Sequence, residues 1–259
     1  MDLELKGKRA LVTGSTAGIG FAIAQELSRE GASVVVNGRT QERVDAAVRQ
    51  LQGDVRGVAA DAGTAEGVAK LVAAAPDLDI LVNNVGIFAA VPFEQIDDGQ
   101  WQRIFEVNVL SGARLSRHHL PRMLRRNQGR ILFISSESGL QIPVEMIHYG
   151  VTKTAQLALA RGLAEATRGT QVTVNAILPG PTRSEGVGDF VAGLAAQQKK
   201  SAQEVERDFF QHARPSSLLQ RFEDPAEIAA LVAFVASPRA SGINGASLRV
   251  DGGVVRSIG

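Results

Sequence analysis

Seven short apolar segments alternate with longer segments of helical character along this chain of 259 residues. Each apolar segment is rich in Val, Ile and Leu, and several are continuous hydrophobic runs, which is typical of parallel strands buried on both faces. Repeated strand-helix units predict an α/β fold, with a doubly wound parallel sheet of about seven strands and helices on both faces. The predicted strands lie near 9–14, 33–38, 55–61, 79–86, 129–136, 171–180 and 246–253.

Helices are predicted between these strands. Thr40 and Asp224 are suitable caps, and Asp224 is followed by Pro225 at the first helical position. Pro121 lies inside the long fourth helix, so we expect it to bend or interrupt that helix. The predicted helices lie at about 18–30, 40–52, 64–75, 98–126, 148–168 and 225–236.

One segment, at about 185–217, breaks the alternation because it reads as two short helices with no strand between them. An excursion of this kind at the end of a strand would lie over a ligand crevice, and we interpret it as a substrate lid. We find no linker or composition shift elsewhere. The expected organisation is therefore a single domain, 1–259, with a lid insertion.

The charge and composition exclude several classes of partner. The formal net charge is +1, which gives no global attraction to nucleic acid or an anionic membrane. The arginine-rich run at 114–126 lacks interleaved aromatics, so we interpret it as a solvated or subunit-facing helix side. There is no cysteine, and no spacing typical of a metal site occurs. No segment reads as a signal peptide or membrane span, so we expect a cytoplasmic protein.

The first predicted strand leads into the glycine-rich turn TGSTAGIG at 13–20. Its glycines permit a tight turn and close approach of the backbone to a pyrophosphate, and the following helix N-terminus favours negative charge. The turn therefore predicts a dinucleotide site, although its spacing is not the common G-x-G-x-x-G. The expected contacts are Gly14, Ser15, Thr16, Gly18, Ile19 and Gly20.

The end of the second strand, Asn37-Gly38-Arg39, bears on the choice of cofactor. NAD-preferring sites carry an acidic residue near this position, where it binds the ribose hydroxyls. Gly38 supplies no carboxylate, and Arg39 offers a planar set of donors suited to a phosphate. We therefore favour NADP over NAD. Asp61, after the third strand, is a candidate acceptor for the adenine amine, or else a helix cap.

Further short motifs follow in order: Asp61, NNVG at 83–86, Asn108, Ser136, Tyr149 with Lys153, PG at 179–180 and DGG at 251–253. With the glycine-rich turn, this ordered set resembles the short-chain dehydrogenase/reductase family from about Leu5 to Val255. The sequence departs from the family at Val85, where alanine is usual, and at Ala17, where NADP-preferring members often carry a base. The resemblance implies a Rossmann-type fold and a homotetramer.

The resemblance also implies roles for four residues. Tyr149 would be the general acid/base, and the ammonium of Lys153, one helical turn later, would favour its phenolate together with an oxidised nicotinamide. The serine that would hydrogen-bond the substrate oxygen is Ser136, thirteen residues before the tyrosine, and not its neighbour Ser135. Asn108 would hold a water that connects the lysine to solvent; alternatively, it is a polar residue satisfied within a helix kink.

Other cofactor contacts are expected on the same basis. Lys153 would bind the nicotinamide ribose, and Thr182 or Ser184 would contact the carboxamide. The remaining expected contacts are Ala62, Asn83, Gly86, Tyr149, Pro179 and Gly180.

The function predicted from these residues is an NADP(H)-dependent oxidoreductase that interconverts a carbonyl and an alcohol, with a 3-oxoacyl thioester reductase as one subtype. The alternative is an NADP(H)-binding sensor or scaffold without turnover. Residues 141–146 and the lid are expected to select a small-molecule substrate. Four cations are candidates for attracting an anionic substrate group: Arg183, Lys199, Lys200 and Arg214.

Overall fold

Seven strands form one fully parallel sheet with the order β3-β2-β1-β4-β5-β6-β7 in the computed structural model, which describes residues 2–184, 188 and 200–258. The order reverses direction between β1 and β4, as in a doubly wound Rossmann-type sheet. This single-domain architecture confirms the predicted fold class. The strands are β1 Arg9–Val12, β2 Ser33–Gly38, β3 Val55–Ala59, β4 Ile80–Asn83, β5 Gly129–Ile134, β6 Val172–Pro179 and β7 Ser247–Val250.

The described helices follow the predicted pattern closely. Thr40 accepts a hydrogen bond from the backbone N–H of Arg43, and Asp224 accepts one from that of Ala226, so both predicted caps are formed. The helices are α1 Gly18–Arg29, α2 Gln41–Gln50, α3 Ala65–Ala74, α4 Asp98–Phe105, α5 Ser111–Arg125, α6 Ile147–Glu165, α7 Ala202–His212 and α8 Pro225–Ala236.

The long helix predicted at 98–126 is divided, but not at its proline. A π-helical turn, Glu106–Leu110, separates α4 from α5, whereas α5 continues through Pro121 to Arg125. The expected break at Pro121 was therefore wrong. Leu115, Leu120 and Met123 bury one face of α5 against the sheet, and this packing holds the helix together across the missing N–H.

Helices cover both faces of the sheet, and each face has its own hydrophobic core. Side chains of α1, α2 and α8 pack on one face, and side chains of α3, α5 and α6 pack on the other. With both faces covered, the accessible part of the sheet is the edge formed by the carboxyl ends of its strands. Ligands of doubly wound sheets bind at that edge, where the strand order reverses.

The arginine-rich run lies on α5, and three of its side chains have acidic partners. Arg114 is 2.6 Å from Glu106, and Arg126 is 3.0 Å from Asp77. Arg122 approaches the same aspartate at 3.9 Å. This local compensation agrees with a solvated helix side. In the part of the chain that the structure describes, no helix is long and apolar enough to cross a membrane.

Candidate active site

A cavity of about 950 Å³ opens at the carboxyl ends of the strands. Its wall comes from the glycine-rich turn, the segments that follow β4, β5 and β6, and the start of α6. Helix α7, from the second half of the predicted lid, also lines the cavity; the first half of that segment lies largely outside the described residues. Among the lining residues are Ile19, Gly86, Ser136, Tyr149, Lys153, Pro179, Gly180 and Thr182.

The two serines that follow β5 have different hydrogen-bond partners. The Ser135 hydroxyl donates to the backbone carbonyl of Lys153 at 2.9 Å, so it fixes α6 to the sheet. The Ser136 hydroxyl donates to the carboxylate of Glu137 and accepts from the N–H of Ser138 at 3.1 Å. Ser136 and Tyr149 both line the cavity.

Tyr149 and Lys153 lie on the same side of α6. The Lys153 Nζ is 5.5 Å from the centre of the Tyr149 ring and donates to the carbonyl of Ile134 at 2.9 Å. Burial lowers the pKa of Lys153 to about 8, an effect that the nearby Glu137 carboxylate opposes. The ammonium is therefore held in place but weakly solvated.

The pKa of Tyr149 differs from the sequence-based expectation. Burial raises this pKa, and the negative charge of Glu137 raises it further, while hydrogen bonding to Ser136 and the charge of Arg214 act against the increase. In the structure these two raising effects outweigh any stabilisation of the phenolate by Lys153. Tyr149 is therefore a protonated phenol at neutral pH, the form that can donate a proton to a carbonyl oxygen.

Asn108 lies in the π-helical turn and is fully engaged with the protein. Its amide accepts from the N–H of Ile87 at 2.8 Å and donates to Ile87 O and to Thr152 Oγ1. Its backbone carbonyl accepts from Gln156 of α6 at 2.6 Å. These contacts agree with the kink alternative, in which Asn108 positions α4, α6 and the loop after β4.

The glycine-rich turn has the backbone geometry that a dinucleotide requires. Gly14 and Gly18 have φ angles of +61° and +55°, and a Cβ on Gly20 would lie 2.3 Å from the carbonyl oxygen of Gly14. Ala17 precedes α1 without a side-chain cap, so the first N–H groups of this helix remain available to an anion. These observations fit a bound pyrophosphate.

Ser15 and Thr16 play different parts in this turn. The Ser15 hydroxyl donates to Val12 O and accepts from the N–H of Asn37, while its own N–H donates to Asn37 O at 2.8 Å. Ser15 therefore fixes the turn against β2. Thr16 packs beside Gly38, where an added Cβ would lie only 2.4 Å from the Thr16 Cγ2. Position 38 therefore has no acidic side chain, and Thr16 leaves little space for any side chain there.

The side chain of Asn83 lies away from the cavity. It is buried at the end of β4, and its Nδ2 approaches Ser116 of α5 at 3.4 Å. The next residue, Asn84, lines the cavity and donates to the carbonyls of Thr13 and Gly14 at 2.9 and 3.0 Å. Asn84 is therefore the asparagine whose side chain faces the cavity, because neighbouring side chains of a strand point to opposite faces.

The residues expected near the adenosine half have mixed surroundings. Arg39 is exposed beyond the end of β2, and Ala62 is buried. The Asp61 carboxylate accepts from the N–H of Gly63 at 2.9 Å and approaches Arg103 at 3.9 Å. Asp61 thus stabilises its own turn and keeps its second oxygen partly exposed. The capping alternative is not supported, because Thr64 caps α3.

Residues after β6 complete the cavity wall. Gly180 is held by hydrogen bonds from its N–H to Val250 O at 2.7 Å and to Glu223 Oε2 at 3.2 Å. The Thr182 hydroxyl donates to Gly180 O at 2.9 Å, and Ser184 also lines the cavity. Both hydroxyls expected near the carboxamide are therefore placed at this wall.

Comparison with known proteins establishes the family. Residues 8–194 match the family described as short chain dehydrogenase. The chain is a short-chain dehydrogenase. It is 47% identical to the uncharacterized oxidoreductase YvaG of Bacillus subtilis, with 100% of both chains covered. It is 31% identical to the 3-oxoacyl-(acyl-carrier-protein) reductase FabG of Aquifex aeolicus, covering 98% of this chain and 100% of that protein.

A solved structure extends the comparison. L-Sorbose reductase from Gluconobacter frateurii, crystallised with NADPH and L-sorbose, matches with a TM-score of 0.94 and 30% identity, covering 100% of both chains. Together with the family match, this likeness makes the short-chain dehydrogenase an NAD(P)-dependent oxidoreductase acting on CH–OH or C=O groups.

The cations that were expected to attract an anionic substrate are already paired in this short-chain dehydrogenase. Each described member of the set forms an ion pair, and Lys199 lies outside the described residues. The pairs are Arg183 with Glu206 at 2.9 Å, Lys200 with Asp208 at 2.5 Å, and Arg214 with Glu137 at 3.2 Å. The structure therefore gives no support to an anionic substrate.

Sequence reasoning missed Glu137 as a residue of the site. Its carboxylate is 6% exposed and lies between Ser136 and the 10% exposed guanidinium of Arg214. Arg214 also contacts Glu145 at 3.0 Å and stacks over Phe209, with 5.8 Å from its Cζ to the ring centre. The available signal was an acidic residue directly after the serine, but its partner is 77 positions away in the sequence.

Proposed function

We propose that this short-chain dehydrogenase reduces a ketone or aldehyde with NADPH, and oxidises the corresponding alcohol in reverse, with Tyr149 as general acid/base. The observation that carries the proposal is the convergence of Ser136, Tyr149 and Lys153 on one wall of the cavity. The glycine-rich turn at another wall offers free helix N–H groups. The arrangement fits proton transfer beside a bound dinucleotide.

In this mechanism Ser136 and Tyr149 act on the carbonyl oxygen. Ser136 donates a hydrogen bond to it and stabilises the negative charge that develops there. Tyr149 transfers its phenolic proton to the same oxygen, and Lys153 holds a positive charge beside the ring as the phenolate forms. The hydride would come from NADPH when it is bound. Asn108 positions the loop after β4 against α6.

The residues proposed to hold the cofactor follow from their placement. The turn residues Gly14, Gly18 and Gly20 would let the backbone approach the pyrophosphate, and Lys153 would bind the nicotinamide ribose. Arg39 and Thr16 lie near the end of β2, where the 2′-phosphate of NADP would be bound. The remaining proposed contacts are Ile19, Asp61, Ala62, Asn84, Gly86, Pro179, Gly180 and Thr182.

The proposed function is tested by mixing the protein with NADPH or NADH and a panel of neutral ketones, aldehydes and 3-oxoacyl thioesters. We expect loss of reduced nicotinamide absorbance with at least one neutral carbonyl, and a higher kcat/KM for NADPH. A protein that binds NADPH tightly but reduces no carbonyl would contradict the proposal.

Replacing Arg39 by Ala is expected to weaken NADPH more than NADH. A charge-assisted hydrogen bond to phosphate is worth about 1.5–3 kcal/mol, so KM for NADPH should rise about 10- to 100-fold while KM for NADH changes little. The steady-state constants of both cofactors measure this. Arg56, whose guanidinium already donates to Ala74 O, is the control position. If Arg39→Ala changed KM for NADPH and KM for NADH equally, Arg39 would not be the residue that makes the protein prefer NADPH.

A homotetramer built through α4, α5 and α6 remains our proposal for the assembly. Leu110, between α4 and α5, and Val151, on α6, are exposed apolar side chains on these elements and support it. Light scattering on the purified protein measures the assembly mass, and a monomeric mass would contradict this proposal.

A further inference from the structure

The carboxylate of Glu137 is a buried hydrogen-bond acceptor at the reacting end of the cavity. Its Oε1 accepts from Arg214 Nε at 3.2 Å, and its Oε2 accepts from the Ser136 hydroxyl. Among the described residues, Ser136 is the side chain that donates to Oε2. The two oxygens therefore differ: one is held by a permanent charge, and the other by the catalytic serine.

This arrangement conflicts with the proposed reaction unless the substrate resolves it. A serine hydroxyl has one hydrogen, and in the proposed mechanism Ser136 donates it to the carbonyl oxygen. Glu137 Oε2 then loses its donor while still buried, and a buried acceptor without a partner is unfavourable. A ligand that supplies a replacement donor at this point is favoured over one that does not.

The position of the replacement donor is set by the serine. One hydrogen bond links Ser136 to Glu137 and another links Ser136 to the carbonyl oxygen, so Glu137 Oε2 lies within about 5–6 Å of that oxygen. The replacement donor must lie within hydrogen-bond distance of Oε2. A hydroxyl on the carbon next to the carbonyl meets this condition. A carboxylate at the same place would meet Glu137 as a like charge, and Arg214 is already neutralised by Glu137 and Glu145.

We propose that Glu137 is a specificity-determining residue, which accepts a hydrogen bond from a substrate hydroxyl and selects α-hydroxy ketones or α-hydroxy aldehydes. This inference rests on the proposed function, because it requires Ser136 to turn toward a carbonyl. Arg214 acts as a positioning residue. It fixes the carboxylate in the wall through a planar guanidinium that also stacks on Phe209.

The test compares three neutral ketones of similar size: hydroxyacetone, methoxyacetone and butanone. Methoxyacetone keeps the electron-withdrawing oxygen of hydroxyacetone but has no O–H to donate. We expect kcat/KM for hydroxyacetone to exceed that for methoxyacetone by about 10- to 100-fold, since a site built to bind a hydroxyl discriminates strongly against its absence. Pyruvate, which carries a carboxylate next to the ketone, should be the poorest substrate.

The variant Glu137→Gln keeps the shape of the side chain and removes its charge. We expect the hydroxyacetone to methoxyacetone ratio to fall about 10-fold, because the charge-assisted bond is lost. The ratio is taken within one preparation, so it does not depend on how much of the variant folds. Glu165→Gln is the control: it removes a carboxylate that pairs with Arg161 at the C-terminal end of α6, outside the cavity lining, and its ratio should stay at the wild-type level.

The outcomes separate this inference from the proposed function. Reduction of all three ketones with a wild-type ratio near one would overturn the role of Glu137 and leave the proposed function standing, as would an unchanged ratio in Glu137→Gln. No reduction of any carbonyl with either cofactor would overturn both. If Glu137→Gln does not fold, the wild-type ratio alone decides.

Discussion

Replacing Tyr149 by Phe is expected to lower kcat for carbonyl reduction by about 100- to 10,000-fold, the usual contribution of a positioned general acid. The phenol is the protonated group that faces the cavity beside Ser136, and burial keeps its pKa raised at neutral pH. Phe keeps the ring and its edge contact with Phe88, whose ring centre is 6.1 Å away. Steady-state reduction of the best ketone measures the effect.

The control for this variant is Ser135→Ala. Ser135 is adjacent to the proposed catalytic serine, but its hydroxyl is committed to the Lys153 carbonyl. We expect it to change kcat far less than Tyr149→Phe does. NADPH binding, followed by the fluorescence of the reduced nicotinamide, should survive in Tyr149→Phe. Retention of more than about a tenth of the wild-type kcat would reject Tyr149 as the acid.

Replacing Lys153 by Met is expected to change how stability depends on pH. The folded-state pKa of Lys153 is about 8, below its ordinary value of 10.5. Between these values the unfolded chain binds a proton that the folded protein does not, so wild-type stability rises with pH in this window. Below pH 8 the penalty of the buried ammonium is fully present. The stability of Lys153→Met relative to wild type should therefore fall by about 3 kcal/mol from pH 7 to above pH 10.

Urea unfolding at several pH values measures this difference, with Trp101, the single tryptophan, as the fluorescent probe. The variant also loses the hydrogen bond from Lys153 to Ile134 O, which changes its free energy of unfolding by the same amount at every pH. The informative quantity is therefore how the difference in free energy of unfolding between variant and wild type changes with pH. Lys70 is an exposed lysine on α3, and Lys70→Met should show no such slope. If the difference in free energy of unfolding between Lys153→Met and wild type did not change with pH, the Lys153 ammonium of the wild-type protein would have to be well solvated.

The sheet and its order of elements could be predicted because continuous Val- and Ile-rich runs have few alternatives to buried parallel strands. Six of the seven predicted strands are longer than those observed, because the predictions included turn residues at the strand ends, such as Thr13 and Gly14 after β1. The π-helical turn had no such signal. Gln156 of α6 hydrogen-bonds the backbone carbonyl of Asn108 in this turn, and the two residues are 48 positions apart in the sequence.

The parts of the candidate site that lie within a short motif could be predicted from the sequence. The parts formed by contacts between distant segments could not. The family resemblance pointed to Ser136, Tyr149 and Lys153, and all three line the cavity because they lie at one strand end and on one helix. The pairing of Glu137 with Arg214 depends on how α7 and the segment after it lie over the cavity, which no local pattern encodes. The point at which β4 ends decides that the side chain of Asn84, and not that of Asn83, faces the cavity.

The contact between Gly38 and Thr16 restricts how cofactor preference can evolve or be engineered. An aspartate at 38 is the direct route toward NAD, but its Cβ would overlap the Thr16 methyl group at 2.4 Å and lie 3.2 Å from Val44 Cγ2. The two positions are therefore coupled: a side chain at residue 38 requires the Thr16 side chain to move or to be replaced by a smaller one. Substituting both positions together is the direct way to change the cofactor preference.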